Sequence, residues 1–288
     1  MTSVLTRFGK EGFDKTSDSI LIVFSHATGF CKELWKPVIE SLQLDDVDIL
    51  SMDLAGHGDS DRFTVPNEDI GKEFGLSILE AMGTFKNIKF KQVIGVGHSM
   101  GGTGLLNAEC MRPGTFSKML LVEPILFPPR DGVWRRNDDD NPMSSRAERR
   151  RDVFLNRDEA FCSLKGKGAF ATWLDASFEI YIDHAFKQLP DGSLELKCAP
   201  SQEAEVYRCA TPIYGQLPTI QSAIGILVGE KSTHMPCGVY ESILSKFPNK
   251  LFGDSPVVLP GLNHFAVMED PELIASYITM AQNTNSKY

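Results

Sequence analysis

Six short runs of β-branched and aliphatic residues recur along the chain, with helix-like stretches between them, and each run ends on a polar or glycine-bearing turn. They are SILIVFSH (19–26), VDILSMD (47–53), KQVIGVG (91–97), KMLLVEP (118–124), AIGILVGE (223–230) and SPVVLPG (255–261). This alternation predicts an α/β chain, with a mostly parallel central sheet and helices on both of its faces. In such sheets ligands bind outside the carboxyl ends of the strands, so the turns that close these runs are where chemistry is to be sought.

One connection breaks the rhythm. Between the fourth and fifth runs lie about ninety residues, 126–215, too long for an ordinary loop. They predict a helical lid inserted into a core domain made of 1–125 and 216–288. SSRAERRRDVFL (144–155) and FATWLDASFEIYIDHAFKQL (170–189) read as helices, and PDGSLELKC (190–198) reads as a turn leading into a short strand. Phe127, Trp134, Trp173 and Tyr207 in the insert, with Met235 and Phe265 at its rim, are candidates to face a small hydrophobic molecule. Packing inside the lid is the ordinary role for any one of them.

Composition narrows the partners. The 288 residues carry a formal net charge of −9, and the basic cluster Arg146, Arg149, Arg150 and Arg151 is interleaved with acids and has no aromatic stripe. Nucleic acid is therefore not expected. The six cysteines form no C-x-x-C pair and follow no secretory signal, which predicts reduced thiols in a cytoplasmic protein. No apolar stretch nears the ~18 residues of a membrane span. The final Ser286-Lys287-Tyr288 is a near miss to the S-K-L peroxisomal address. The His, Cys and Asp residues show no metal-ligand spacing, and a homodimer stays open.

VIGVGHSMGG (93–102) admits two chemistries. Gly95 and Gly97 begin a dinucleotide-type G-x-G, and Glu123 stands about twenty residues on, where a ribose-binding acid would. The sixth position of that fingerprint is Met100 and not glycine, so an NAD(P) enzyme is the weaker reading. Gly97-His98-Ser99-Met100-Gly101 also fits the G-x-S-x-G nucleophile elbow, in which small neighbours make room for a strained serine. The partners that an elbow needs are present. His264, between the last strand and the last helix, has the best setting for a general base, and His234 is the runner-up. His26, His57 and His98 sit beside glycine-rich turns as structural groups, and His184 lies in a lid helix. The backbone N–H of Met100, with that of Thr28 or Ala27 after the first run, could hold an oxyanion.

HATGF (26–30), DLAGHGDSD (53–61), GVGHSMGG (95–102) and PGLNHFAVMEDPE (260–272) together resemble the α/β-hydrolase superfamily in order and spacing. The resemblance covers residues 19 to 283 outside the lid. It implies an α/β-hydrolase fold, a Ser99–His264 pair, and a structural role for Asp53, Gly56, His57 and Gly58. The family's usual Asp, three residues past a glycine that is Gly229 here, is replaced by Ser232. Two carboxylates could stand in: Glu123, after the strand that follows the elbow helix, or Glu230. Glu123 is favoured, in an arrangement similar to that of the zearalenone-lactonase group of fungal hydrolases. The resemblance then implies a cofactor-free serine hydrolase of secondary metabolism, acting on a hydrophobic ester or lactone such as a polyketide macrolactone. A thioesterase, a carbon–carbon-bond hydrolase and a binding-only receptor on this fold are the alternatives.

Overall fold

A computed structural model describes residues 4–7, 19–44, 47–63, 69–86, 88–126, 141–208 and 213–284. The candidates Phe127 and Trp134, and the tail Ser286-Lys287-Tyr288, lie outside the described residues. The first part of the chain forms β1 (Val4–Arg7), β2 (Ile20–Ser25), α1 (Lys36–Ser41), β3 (Val47–Met52) and α2 (Ile70–Met82). It continues through β4 (Gln92–His98), α3 (Met100–Met111) and β5 (Lys118–Val122). An intervening segment carries α4 (Pro142–Glu148), β6 (Val153–Phe154), α5 (Arg157–Leu164), α6 (Asp175–His184), β7 (Phe186–Gln188), β8 (Leu194–Leu196) and α7 (Pro200–Arg208). The chain then returns through β9 (Ala223–Gly229), α8 (Cys237–Leu244), β10 (Val257–Leu259), α9 (Ala266–Glu269) and α10 (Pro271–Asn283).

All six apolar runs become strands of one sheet, in the order β1-β3-β2-β4-β5-β9-β10. The six are mutually parallel, and β1 pairs antiparallel with β3 at the edge. Because side chains alternate along a strand, the runs of β2, β3, β4, β5 and β9 feed two cores, while the edge strand β10 buries Leu259 on one side and leaves Val258 exposed on the other. Ile22, Phe24, Ile94, Val96, Leu120 and Val122 bury into one layer, while Leu21, Val23, Met119, Leu121, Ile224 and Ile226 bury into the other. Among the described residues, no helix is long and apolar enough to cross a membrane.

The inserted segment contains helices, and it also contains a three-stranded antiparallel sheet, β6-β8-β7. The helix expected over 144–155 stops at Glu148, because Val153 and Phe154 pair with β8 and Phe154 buries its ring edge-on to Phe186, 5.6 Å away. The helix expected over 170–189 is shorter for a similar reason: α6 ends at His184, and the Pro190-Asp191-Gly192 turn folds β7 back on β8 as a hairpin. Phe154, Phe170, Trp173, Phe178, Tyr181 and Phe186 of the segment belong to the same buried cluster as one face of the main sheet.

Register places the site. Ser25 lies beside Gly97, His98 beside Val122, Val122 beside Leu227, and Leu259 beside Gly229. The residues that follow β2, β4, β5, β9 and β10 therefore emerge together along one carboxyl edge.

Candidate active site

Ser99 stands between β4 and α3 with φ 54 and ψ −124, a conformation that costs a non-glycine residue about 1–3 kcal/mol. Close packing enforces it. A Cβ on Gly97 would lie 2.6 Å from the Cα of Gly102, and one on Gly101 would lie 2.3 Å from the carbonyl oxygen of Ser25. These glycines let backbone meet backbone around the serine, so the close approach they permit is already used within the protein. The Ser99 N–H donates to Val122 O at 2.9 Å, fastening the turn to β5.

His264 follows β10 in the loop before α9. Its Nε2 is 3.2 Å from Ser99 Oγ and its Nδ1 is 3.1 Å from Glu123 Oε2. Glu123 is fully buried and, with φ 52, joins Ser99 as a non-glycine residue in the left-handed region. Its position directly after β5 carries the carboxylate to the base. Oε1 accepts from the Gly229 N–H at 2.7 Å, and Oε2 also accepts from Ser232 Oγ at 2.8 Å and Tyr240 Oη at 3.1 Å. Burial raises the carboxyl's pKa, but the hydrogen bond and charge of His264 and the bonds from Ser232 and Gly229 outweigh it, and the net shift is downward. An ionised acceptor on the Nδ1 side places a proton there, which leaves the Nε2 lone pair facing the serine. The arrangement can deprotonate Ser99 and hold the resulting imidazolium.

Ser232, at the position of the family's usual acid, donates to Glu123, the carboxylate expected to replace it. Glu230 is placed elsewhere: it is exposed, and its Oε2 accepts from the Gly261 N–H at 2.8 Å.

The turn after β2 is held from below. His26 takes the Leu54 N–H on Nε2 at 3.1 Å and donates from Nδ1 to Ala27 O at 2.8 Å, and Phe30 N–H reaches the same carbonyl at 3.3 Å. A trans peptide points its N–H opposite its C=O, so anchoring the Ala27 carbonyl turns the Thr28 N–H the other way. Met100 opens α3, where the first N–H groups have no partner within the helix. His98 donates from Nε2 to His264 O at 2.8 Å and so pins the base's backbone. Burial, and then the neighbouring His264, push the pKa of His98 down to about 3, which keeps it neutral. Asp53 accepts from the Lys32 N–H, Lys32 Nζ and the Asp59 N–H, ties that hold the loops after β2 and β3 together. Among the described residues, no three His, Cys, Asp or Glu side chains gather as a metal-binding group.

The rim candidates divide. Trp173 is buried with its ring 5.1 Å from Phe30 and 6.1 Å from Phe265, and Phe265 meets His264 edge-on at 5.3 Å. These two belong to an aromatic cluster that reaches the base. Met235 is buried in the core of the opposite sheet face, and Tyr207 lies in α7, where its carbonyl accepts from Asn141. The sequence reading missed Phe30, Tyr240 and the contacts of His234, whose ring stacks on His264. No local pattern announces them, because each acts through space across a loop.

Comparison with known proteins agrees with this architecture. Residues 22–277 match the family described as the alpha/beta hydrolase family. The abhydrolase domain-containing protein ACTT2-1 of Alternaria alternata is 24% identical over 219 residues, covering 65% of this chain and 81% of the relative. The type I acyl-CoA thioesterase mpaH of Penicillium brevicompactum is 23% identical over 231 residues, covering 75% of this chain and 46% of that protein. Among solved structures, the peroxisomal alpha-beta-hydrolase Lpx1 of Saccharomyces cerevisiae superposes with a TM-score of 0.79, covering 100% of this chain and 91% of its own, at 17% identity. At that identity the likeness concerns the fold alone.

Proposed function

The chain belongs to the alpha/beta hydrolase family, and from that premise we propose that it is a serine hydrolase cleaving an ester or lactone of a hydrophobic small molecule through an acyl-enzyme on Ser99. One observation carries the reading: Ser99 Oγ, His264 and buried Glu123 form a continuous relay with steps of 3.2 and 3.1 Å. Ser99 Oγ adds to the substrate carbonyl carbon as its proton passes to His264 Nε2. The developing oxyanion accepts from the Met100 N–H and from that of Thr28 or Ala27, each such donor contributing about 3 kcal/mol to the transition state. Glu123 keeps the Nδ1 proton in place and stabilises the imidazolium. The imidazolium protonates the leaving alcohol oxygen, and the tetrahedral intermediate collapses to the acyl-enzyme. A water then gives its proton to His264 and its oxygen to the acyl carbon, releasing the carboxylic acid and restoring Ser99. In a lactone the alcohol stays tethered, so the product is the ring-opened hydroxy acid.

Phe265 against the base, with Phe30 and Trp173 packed on it, favours an apolar substrate, and a macrolactone of polyketide type is the specific candidate. A thioester substrate is the second reading, favoured by the resemblance to the acyl-CoA thioesterase of Penicillium brevicompactum; the same steps then release a thiol. Comparison of kcat/KM on aryl esters, acyl thioesters and resorcylic-type macrolactones tests the choice. Cleavage of aryl esters with the macrolactones left intact refutes the lactone reading, and preference for thioesters replaces it with the second.

A further inference from the structure

The loop after β9 lays a second imidazole flat against the base. The rings of His234 and His264 have centroids 3.7 Å apart and planes 18° apart. Stacked rings direct their nitrogens along their own planes, so this contact is not a hydrogen bond and His234 does not relay a proton to its neighbour across it. Two contacts hold the residue there. The His234 N–H reaches Ser232 Oγ at 3.5 Å, a hydroxyl that itself donates to Glu123, and Phe265 closes edge-on to the His234 ring at 6.1 Å.

The charged and titratable groups around His264 come from every neighbouring element. Glu123 comes from the end of β5, His98 from the end of β4 and His234 from the loop after β9. Glu230, directly after β9, accepts from the Gly261 N–H, and Glu269, at the end of α9, accepts from the Asn263 N–H, both donors lying on the loop after β10. Burial, and then His264, lower the pKa of His234 to about 4, as they lower that of His98 to about 3. At neutral pH both flanking rings are uncharged, so the imidazolium formed on His264 meets one carboxylate at its edge and one neutral aromatic face.

We propose that His234 is a positioning residue for the base: its ring, stacked on His264, holds the imidazole in the plane that joins Ser99 to Glu123 and stabilises the imidazolium formed during turnover. The inference rests on the serine-hydrolase reading. A cation over an aromatic face is attracted to the ring quadrupole, and during turnover this cation forms as Ser99 gives up its proton. The stack therefore acts on kcat more than on KM.

Three variants separate the aromatic face from the space it fills. His234→Phe keeps a flat π face, His234→Leu fills similar volume without one, and His234→Ala removes both. The assay measures kcat, KM and the pH dependence of kcat/KM on the best ester or thioester of the wild type. We expect Leu and Ala to lower kcat roughly 3- to 30-fold and Phe to stay within about threefold, as loss and retention of a partly buried cation–π contact imply. The acid limb of the profile should move to lower pH in Leu and Ala, because the imidazolium loses support, and stay in place in Phe. Leu and Phe behaving alike, or no variant moving kcat or the limb, overturns the role of the stack. Ser99→Ala, measured alongside, keeps the two readings apart: turnover surviving there overturns the serine-hydrolase reading and this inference with it.

Discussion

Replacing Glu123 with Gln exchanges one carboxylate oxygen for an NH2 in a buried pocket that supplies only donors to it. The Gly229 N–H points at Oε1, and His264 Nδ1, Ser232 Oγ and Tyr240 Oη converge on Oε2. If the amide nitrogen takes the Oε1 place, it faces the Gly229 N–H donor to donor. If it takes the Oε2 place, the hydroxyls of Ser232 and Tyr240 can turn to accept, but His264 accepts only by moving its proton to Nε2. That proton then points at Ser99 Oγ, and the base has no lone pair to offer. Either orientation is paid for in activity or in a buried mismatch worth about 1–3 kcal/mol. The expected loss in kcat/KM is roughly ten-thousandfold, about 5.5 kcal/mol, as when the acid of a serine-protease triad is made neutral. Steady-state kinetics at 25 °C measure it, with thermal melting to show that the variant is folded. Glu230→Gln, at an exposed carboxylate bonded to Gly261, should stay within about threefold of wild type. Glu123→Gln within tenfold of wild type, or Glu230→Gln as damaging as Glu123→Gln, refutes the assignment of the acid.

Gly101→Ala places a Cβ 2.3 Å from Ser25 O and should cost at least about 3 kcal/mol, seen as a melting temperature lowered by several degrees or as failure to fold. Tyr240→Phe removes one of the donors to Glu123 and should lower kcat by roughly 3- to 30-fold while the protein stays folded, as loss of about 1–2 kcal/mol of carboxylate support implies. Acidification should destabilise the fold in a defined window. His26 and His98 are held neutral by burial with pKa values lowered to about 3, so between about pH 6.5 and 3 the unfolded chain binds protons that the folded chain does not. Each group should then remove stability by up to about 1.4 kcal/mol per pH unit as the pH falls. Glu123, with its pKa lowered, adds stability that is present above the ordinary carboxyl range and lost as the pH falls through its folded value. Urea unfolding at pH 7, 6, 5 and 4 checks the slope, and a flat profile contradicts it.

The sheet was legible because strands covered on both faces are written as near-continuous apolar runs, so each run names a strand without its neighbours. β1 escaped because four residues at an antiparallel edge carry little of that signal. The strained turn at Ser99 was legible through the spacing of Gly97, Ser99 and Gly101, and the placement of His264 beside it through its position after the last strand. Glu123 was legible only in part. Its position after β5 stood in the sequence, but its left-handed backbone and its donors Ser232 and Tyr240 are products of packing between β5 and the segment after β9. In the inserted segment helix-like composition hid a hairpin, because the pairing of β7 with β8 is set by the Pro190-Asp191-Gly192 turn and by Phe186 and Leu196 meeting across it. The stack of His234 on His264 follows from two loops converging, which no periodicity records.

Covalent labelling of the serine tests the central claim most directly. After exposure to a fluorophosphonate, intact-mass measurement and peptide mapping should find one phosphonyl adduct, on Ser99, with activity lost in step with its formation. Ser99→Ala should take up none, and Glu123→Gln should label far more slowly than wild type. No adduct on the wild-type protein, an adduct on another residue that tracks inactivation, or equal labelling of Ser99→Ala would contradict the assignment of Ser99 as the nucleophile.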